Sequence, residues 1–537
     1  MIDTKRVKSE GTQVNKHKKV SCKKIVGGRI VAALPIVVLQ VAIIVTLLKW
    51  LAPFATYIYS VLSVLAVLFV LYIVETIQDG AYKTLWLMVM LLAPLPGALA
   101  YLLYGNKRTG RKLAQRIGNA AKEMPIELLQ DEAVIKEVMA EDKRMAQTFS
   151  YVTQISGFPI VRNESAEYYP IGEALFEEMK IAMRAAKKYI YIEYFIVQEG
   201  VMWGSMLDII EEKMKEGVDV RVLYDDIGSI GTFSTRNFVT LLKKGIKCVK
   251  FNPLIKVSGA LNNRDHRKIL VVDGMVAFSG GINLADEYIN VEKPYGHWKD
   301  IGFRITGEAV KSYTYMFVEF WNAFSTDKIT EEQLRIPESA QVSEYVGNGQ
   351  DLMQAGEGYV QPYYDSPNRT EPLSNQLYID LLGQAKDYIW FYTPYLLPGD
   401  ALRQAIVHTV KRGVDVRIIT PGIPDKKVVF RMSRSYYGEL LKAGVKIYEY
   451  TPGFVHAKAC IMDDVVSTVG TVNLDYRSLY LHYECNALFY RAGLVQSLKK
   501  DFIDTMEKSQ QRGLEMEKKG FLYRLINCVL RLFAPLI

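Results

Sequence analysis

One pattern constrains this chain more than any other. The spacing H-x-K-x4-D-x6-G-x-x-N occurs twice, first as His266, Lys268, Asp273, Gly280 and Asn283, then as His456, Lys458, Asp463, Gly470 and Asn473. The chain has six histidines, and two of them open this pattern. A lone histidine is usually a satisfied core residue, which is how His17, His297 and His408 read. A five-position match repeated in register is not explained that way. The match sits inside a wider duplication. Ala186-Lys-Lys-Tyr-Ile190 returns as Ala385-Lys-Asp-Tyr-Ile389, and Gly217-Val-Asp-Val-Arg221 returns unchanged as Gly413-Val-Asp-Val-Arg417, at offsets of 196 to 199 residues. Short β-rich runs (Tyr189–Val197, Val218–Tyr224, Lys268–Val272, Val414–Thr420) alternate with helical stretches. This is the signature of a duplicated α/β unit.

The residue types inside the repeat specify a chemistry. On a strand, positions i and i+2 face the same side, so each His and its Lys are expected to point into one cleft. Two units facing each other gather two imidazoles, two ammonium groups and two Asn amides. Imidazole titrates near about 6.5, so one ring can be neutral and nucleophilic while the other is protonated. Fixed cations and amide donors suit the negative charge of a phosphoryl group in transfer. No carboxylate cluster accompanies the histidines and the lysines supply positive charge, so the expectation is metal-free, cofactor-free phosphoryl transfer through a phosphohistidine. Asp273 and Asp463 complete the catalytic motif and read as turn residues that brace it. The five cysteines (Cys22, Cys248, Cys460, Cys485, Cys528) are scattered without C-x-x-C spacing, so no zinc site or disulfide framework is indicated.

The N-terminal hundred residues are of another kind. Ile30–Leu48, Phe54–Val74 and Thr84–Tyr104 contain no Asp, Glu, Lys or Arg, and each is long enough as a helix to cross a hydrocarbon core of roughly 30 Å. A long basic region precedes the first and no small-residue cleavage site follows it, which argues for a membrane anchor over a signal peptide. Ala93-Pro94-Leu95-Pro96-Gly97 interrupts the third stretch. That stretch either crosses or re-enters, and both topologies stay open. Residues 1–29 carry nine Lys and Arg against two acids, so most of the net charge of +8 lies there. The near-neutral remainder argues against a body built to grip nucleic acid.

The expected organisation is a basic tail (1–29), a multi-pass membrane anchor (30–104), a helical connector (105–150), two α/β halves (151–340 and 341–510) and a C-terminal amphipathic helix (511–537). In that last segment Phe521, Leu522, Leu525, Ile526, Val529, Leu530 and Phe533 recur on one face, with Arg524, Asn527 and Arg531 on the other. Docking on the protein's own core and lying in a membrane interface are equally compatible with it.

The duplicated motif resembles the signature of the phospholipase D superfamily over about Ser165 to Lys500. Asn263-Arg-Asp-His-Arg-Lys268, Ser279-Gly-Gly-Ile-Asn283, Trp298-Lys-Asp300, Val220-Arg-Val-Leu-Tyr-Asp225 and Gly470-Thr-Val-Asn-Leu-Asp-Tyr-Arg-Ser478 resemble the motif blocks of the bacterial cardiolipin synthases, and the apolar stretches ending Tyr101-Leu-Leu-Tyr-Gly-Asn106 resemble their anchor. The resemblance implies two pseudo-symmetric halves sharing one active site behind N-terminal transmembrane helices. It implies an enzyme of the cell membrane that transfers a phosphatidyl group between phosphatidylglycerols, with anionic lipids and no nucleic acid as partners. On it His266 is the nucleophile and His456 the acid/base, while Lys268, Lys458, Asn283 and Asn473 hold phosphate oxygens. Asp300 and Glu484 lie 34 and 28 residues past their histidines, where the superfamily keeps a carboxylate that orients each imidazole. One departure is His482-Tyr483-Glu484, where the family usually has Asn before the aromatic residue. Water or another alcohol as acceptor, a nuclease, and a non-catalytic membrane scaffold are the rival readings.

Overall fold

The computed structural model describes residues 52–536 apart from 77–79, 106–109, 254–261, 337–339, 348–356, 370 and 518–519, with isolated positions between 39 and 46. The basic tail and most of Ile30–Leu48 therefore lie outside the described residues.

Runs rich in β-branched and aromatic residues form strands buried on both faces, Tyr189–Tyr194 being one. They assemble into two mixed sheets. The seven-stranded sheet of the first half runs, in spatial order, Ser165–Tyr169, Gly302–Thr306, Val276–Gly280, Lys268–Val272, Tyr189–Tyr194, Asp219–Asp225 and Lys247–Phe251. The core of the nine-stranded sheet repeats that order with Tyr359–Asp365, Glu484–Tyr490, Val466–Gly470, Ala459–Met462, Tyr388–Tyr392, Asp415–Pro421 and Lys446–Tyr450. Val161–Arg162 pairs with Tyr359–Val360 and so edges the second half's sheet. The sheets share one apolar core, with Phe303 of the first meeting Phe489 of the second edge-on at 5.4 Å.

The halves also exchange backbone. His297–Lys299 pairs in parallel with Gly453–Val455, and Asp265 bridges Tyr483. These two cross-links flank the motif histidines.

The third apolar stretch is a bent hairpin. Its helix Gly80–Leu92 ends ahead of Pro94, which has no N–H to continue the ladder. The short helix Pro94–Ala100 folds back closely enough that a Cβ on Gly97 would lie 2.9 Å from the Val89 carbonyl oxygen. The Tyr82 hydroxyl then donates to the Gly105 carbonyl at 3.3 Å, so the chain leaves beside its point of entry. The second stretch lies on helix Ala52–Thr76, whose side chains are described continuously only from Ser60 to Glu75. Among the described residues no helix is long and apolar enough to cross a membrane. The hairpin rests on the second half, where Tyr82 stacks on Tyr476 at 5.6 Å and 9°.

Candidate active site

Each motif aspartate ends its strand in a tight turn. Asp273 and Gly274 both take positive φ (53° and 68°), as do Asp463 and Asp464 (49° and 64°), inside the three-residue loops that join paired Val272 and Val276, and Met462 and Val466. The Asp273 carboxylate accepts the backbone N–H groups of Lys187, Lys188 and Tyr189 at 2.6, 2.9 and 2.6 Å. Asp463 does the same for Lys386, Asp387 and Tyr388 at 2.7, 2.9 and 2.8 Å. These aspartates fix the strand that carries the histidine at its far end.

The histidines lie just outside the strands rather than on them. His266 precedes strand Lys268–Val272 by two residues, and His456 and Lys458 occupy the extended link between Gly453–Val455 and Ala459–Met462. Cross-half backbone bonds hold both, His266 N–H to the Tyr483 carbonyl at 2.9 Å and His456 N–H to the Lys299 carbonyl at 2.7 Å. Arg264 and Arg267 pin the first loop from behind. Both are fully buried, ion-paired with Asp225 at 2.8 Å and Glu193 at 2.5 Å.

Asp300 and Glu484 each lie within hydrogen-bonding distance of an imidazole, and each meets the histidine of the other half. His266 Nδ1 lies 2.8 Å from Glu484 Oε2, and His456 Nδ1 lies 2.6 Å from Asp300 Oδ2. The exchanged strand places Asp300 directly after Lys299, the cross-half acceptor of His456 N–H. The Asp265–Tyr483 bridge likewise brings Glu484 to His266. With both Nδ1 atoms engaged, each Nε2 is left to act on a substrate. Lys268 Nζ donates to the His266 carbonyl at 2.6 Å, and Lys458 Nζ lies 2.7 Å from His456 Nδ1. Asn283 is held by the Ile196 N–H at 3.2 Å and donates to the Tyr288 hydroxyl at 2.6 Å. Asn473 keeps a buried side-chain oxygen without a partner.

Burial sets the protonation states. His266 is held well below the usual imidazole range by burial and the Lys268 charge. His456 is lowered to about 4 by burial and Lys458, against the pull of Asp300. Burial alone raises Asp300, yet His456 and Lys458 outweigh it and keep the carboxylate below its ordinary value. Glu484 goes the other way, raised by burial despite Lys268. Burial also lowers Lys268 to about 8 and Lys458 to about 7.

Two residues around Glu484 were not singled out as functional from the sequence. Ser478 donates to Oε1 at 2.5 Å and Thr471 to Oε2. Thr471 occupies the place of Gly281, where a Cβ would meet Asp300 Oδ1 at 2.0 Å. Unequal residues at corresponding motif positions are the only signal for this. Among the described residues one trio, His266, His482 and Glu484, has the composition and proximity to hold a cation. Both Glu484 oxygens already accept from His266 and a hydroxyl, and burial leaves little water to replace, so the set is organised around the imidazole.

Two α/β halves that share a histidine pair, each ring backed by a carboxylate from the opposite half, define a phospholipase D-like enzyme. A model for "Cardiolipin synthase, PLD-like domain" matches residues 179–314 and 378–506, and one for "Phospholipase D-nuclease N-terminal" matches 61–106. The chain is 32% identical over 464 residues to the cardiolipin synthase of Alkalihalophilus pseudofirmus, covering 85% of this chain and 89% of the relative. It is 42% identical over 455 residues to an uncharacterized protein of Streptococcus mutans, covering 84% and 96%. Among solved structures it is similar to a phosphatidylserine synthase of Haemophilus influenzae, with a TM-score of 0.54, 18% identity and coverage of 73% and 98%. That last likeness concerns the fold alone. The chain belongs to the cardiolipin synthase family of phosphatidyltransferases.

Proposed function

We propose that this protein condenses two phosphatidylglycerol molecules into cardiolipin and glycerol through a phosphatidyl-histidine at His266. The observation that carries the reading is the crossed pairing of two buried histidines with two carboxylates whose surroundings shift them in opposite directions. A nucleophile must be neutral, and burial keeps His266 so. A general acid needs a firm counter-ion for its imidazolium, and the ionised Asp300 supplies one to His456 once an anionic phosphodiester enters. His266 Nε2 attacks phosphorus, the P–O bond to glycerol breaks, and His456 gives the departing oxygen its proton. In the second step a hydroxyl of another phosphatidylglycerol loses its proton to His456 and bonds to phosphorus. The P–N bond breaks and His266 is restored. Lys268, Lys458, Asn283 and Asn473 would carry the charge on the non-bridging oxygens.

The same reading places the protein in the cell membrane. The face of helix Ala52–Thr76 exposes Val61, Val64, Leu68 and Leu71, and the hairpin exposes Leu91 and Leu92. A hairpin whose exit lies beside its entry would leave Arg111 and Lys112 on the side from which it starts. That is the cytoplasmic face under the positive-inside rule.

The test is reconstitution into phosphatidylglycerol vesicles without nucleotide or added metal, with lipids and free glycerol followed by mass spectrometry. Equal amounts of cardiolipin and glycerol are expected. Phosphatidic acid in place of cardiolipin would make water the acceptor and overturn the transferase reading.

A further inference from the structure

The C-terminal helix Phe521–Leu532 is mounted inside out. A surface helix normally turns its apolar stripe to the core and its polar face to water. Here no residue of the helix is buried, and the face against the protein carries Tyr523, Asn527 and Arg531, with Leu530 as its apolar contact. Arg431 Nε donates to Asn527 Oδ1 at 3.1 Å, and its guanidinium lies 4.6 Å over the Tyr523 ring. Arg531 Nε donates to Ser435 Oγ at 3.0 Å, and its guanidinium lies 4.3 Å over the Tyr436 ring. The rest of the stripe points outward, leaving Phe521, Leu522, Leu525 and Val529 exposed by 75, 68, 50 and 53%. A contiguous exposed apolar face marks an interaction surface, and polar anchoring beneath it fixes its direction.

Two placements identify what covers it. The helix touches the hairpin helix Gly80–Leu92, whose Leu91 and Leu92 are 76 and 83% exposed, so the two apolar faces adjoin. Exposed cations lie on the same two packed elements, Arg524 on the C-terminal helix and Lys426 and Lys427 at the start of helix Lys427–Ala443, which it contacts. An apolar stripe flanked by cations fits the headgroup layer of an anionic bilayer. The helix is also tied to the catalytic centre. Leu530 and Ala534 pack with Leu397, Val429, Met432 and Tyr395. Tyr395 neighbours Phe454 at 6.4 Å, and Phe454 neighbours His456 at 5.9 Å.

We propose that the C-terminal helix lies in the plane of an anionic lipid bilayer, forming one apolar platform with the hairpin, and holds the part of the chain around Tyr395, which leads through Phe454 to His456, at headgroup depth. The platform follows from the helix alone, and only its consequence for catalysis rests on the activity proposed above.

The test compares wild type with the double variant Leu522→Glu, Leu525→Glu, full-length in phosphatidylglycerol vesicles and on short-chain phosphatidylglycerol below its micellar concentration. The expected result is a tenfold or greater fall in kcat/KM on vesicles with the short-chain rate unchanged. Unchanged vesicle activity, or equal loss on both substrates, overturns the proposal. A nitroxide at position 525 (Leu525→Cys, with Cys22→Ser and Cys528→Ser) reads the surface without catalysis. Collision with oxygen should exceed collision with a nickel chelate, and the reverse should hold for Arg524→Cys. A label at 525 that meets the chelate freely, or meets neither agent because protein covers it, also overturns the proposal. If wild type makes no cardiolipin from either substrate, the assigned activity fails while the nitroxide still decides the platform.

Discussion

The two halves share a strand order, a turn and a motif, yet they present unlike carboxylates to each other's histidines. In the first half Gly281 leaves room for the short Asp300, which accepts only its own neighbour's N–H (Ile301, 2.9 Å) besides His456. In the second half Thr471 stands at that place and, with Ser478, brings two hydroxyls to the longer Glu484. Asp300 is kept ionised while Glu484 is driven toward its neutral form. Duplication thus built a symmetric frame, and a few substitutions within it made the surroundings of the two carboxylates unlike. A reaction that needs one neutral and one proton-carrying imidazole at the same moment requires such a difference.

The sharpest way to break the comparison is to remove each ring. His266→Ala and His456→Ala should each lower cardiolipin formation on the order of 10³-fold or more. They should differ in what accumulates. With a phosphatidyl donor bearing a good leaving group, His456→Ala should still acquire a phosphatidyl adduct visible by intact-protein mass spectrometry, and His266→Ala should not. The opposite pattern would exchange the two roles. Amidating the carboxylates comes next. Asp300→Asn should cost about 100-fold in kcat because it removes the counter-ion of an imidazolium. Glu484→Gln should cost nearer 10-fold, since burial already pushes Glu484 toward its neutral form. Equal losses would erase the asymmetry.

Much of this was legible beforehand, and what was not has a physical reason. The motif spacing is local, so the histidines, lysines and turn aspartates follow from it. The α/β repeat follows from alternating runs such as Tyr189–Tyr194. The crossed pairing depends on two long-range contacts, Gly453–Val455 with His297–Lys299 and Asp265 with Tyr483, and no local pattern encodes which half supplies a strand. Sequence periodicity located the stripe from Phe521 to Phe533 but could not show which side faces the protein. That is settled by partners elsewhere in the chain, Arg431 and Ser435.

The lysines carry a pH signature of the same asymmetry. Both must be charged to hold a phosphate, and burial lowers Lys458 to about 7 and Lys268 to about 8. A lowered lysine is charged only below its folded value, so kcat/KM should fall as pH rises through 7 to 8, with Lys458 losing its proton first. Lys458→Arg should move that alkaline limb upward by about a unit even where the absolute rate drops, because guanidinium stays charged. Lys268→Arg should move it less. An unmoved limb would mean that another group sets it.

His482 should give the smallest effect and the finest discrimination. It is 8% exposed, both ring nitrogens lack a partner, and its ring lies 5.7 Å from that of His266. Burial and the charge of Arg477 hold it well below the usual imidazole range, so it is a neutral neighbour of His266, the proposed nucleophile. Its nearer nitrogen stands 3.9 Å from Glu484, too far to take over that carboxylate's hydrogen bonds. A neutral ring in that position fills space without directing the proton, so His482→Asn should change kcat by no more than about threefold. The ratio of cardiolipin to phosphatidic acid should also stay fixed. A rise in phosphatidic acid would instead make His482 part of what keeps water from the phosphatidyl-histidine, and would add a difference between the halves that neither motif contains.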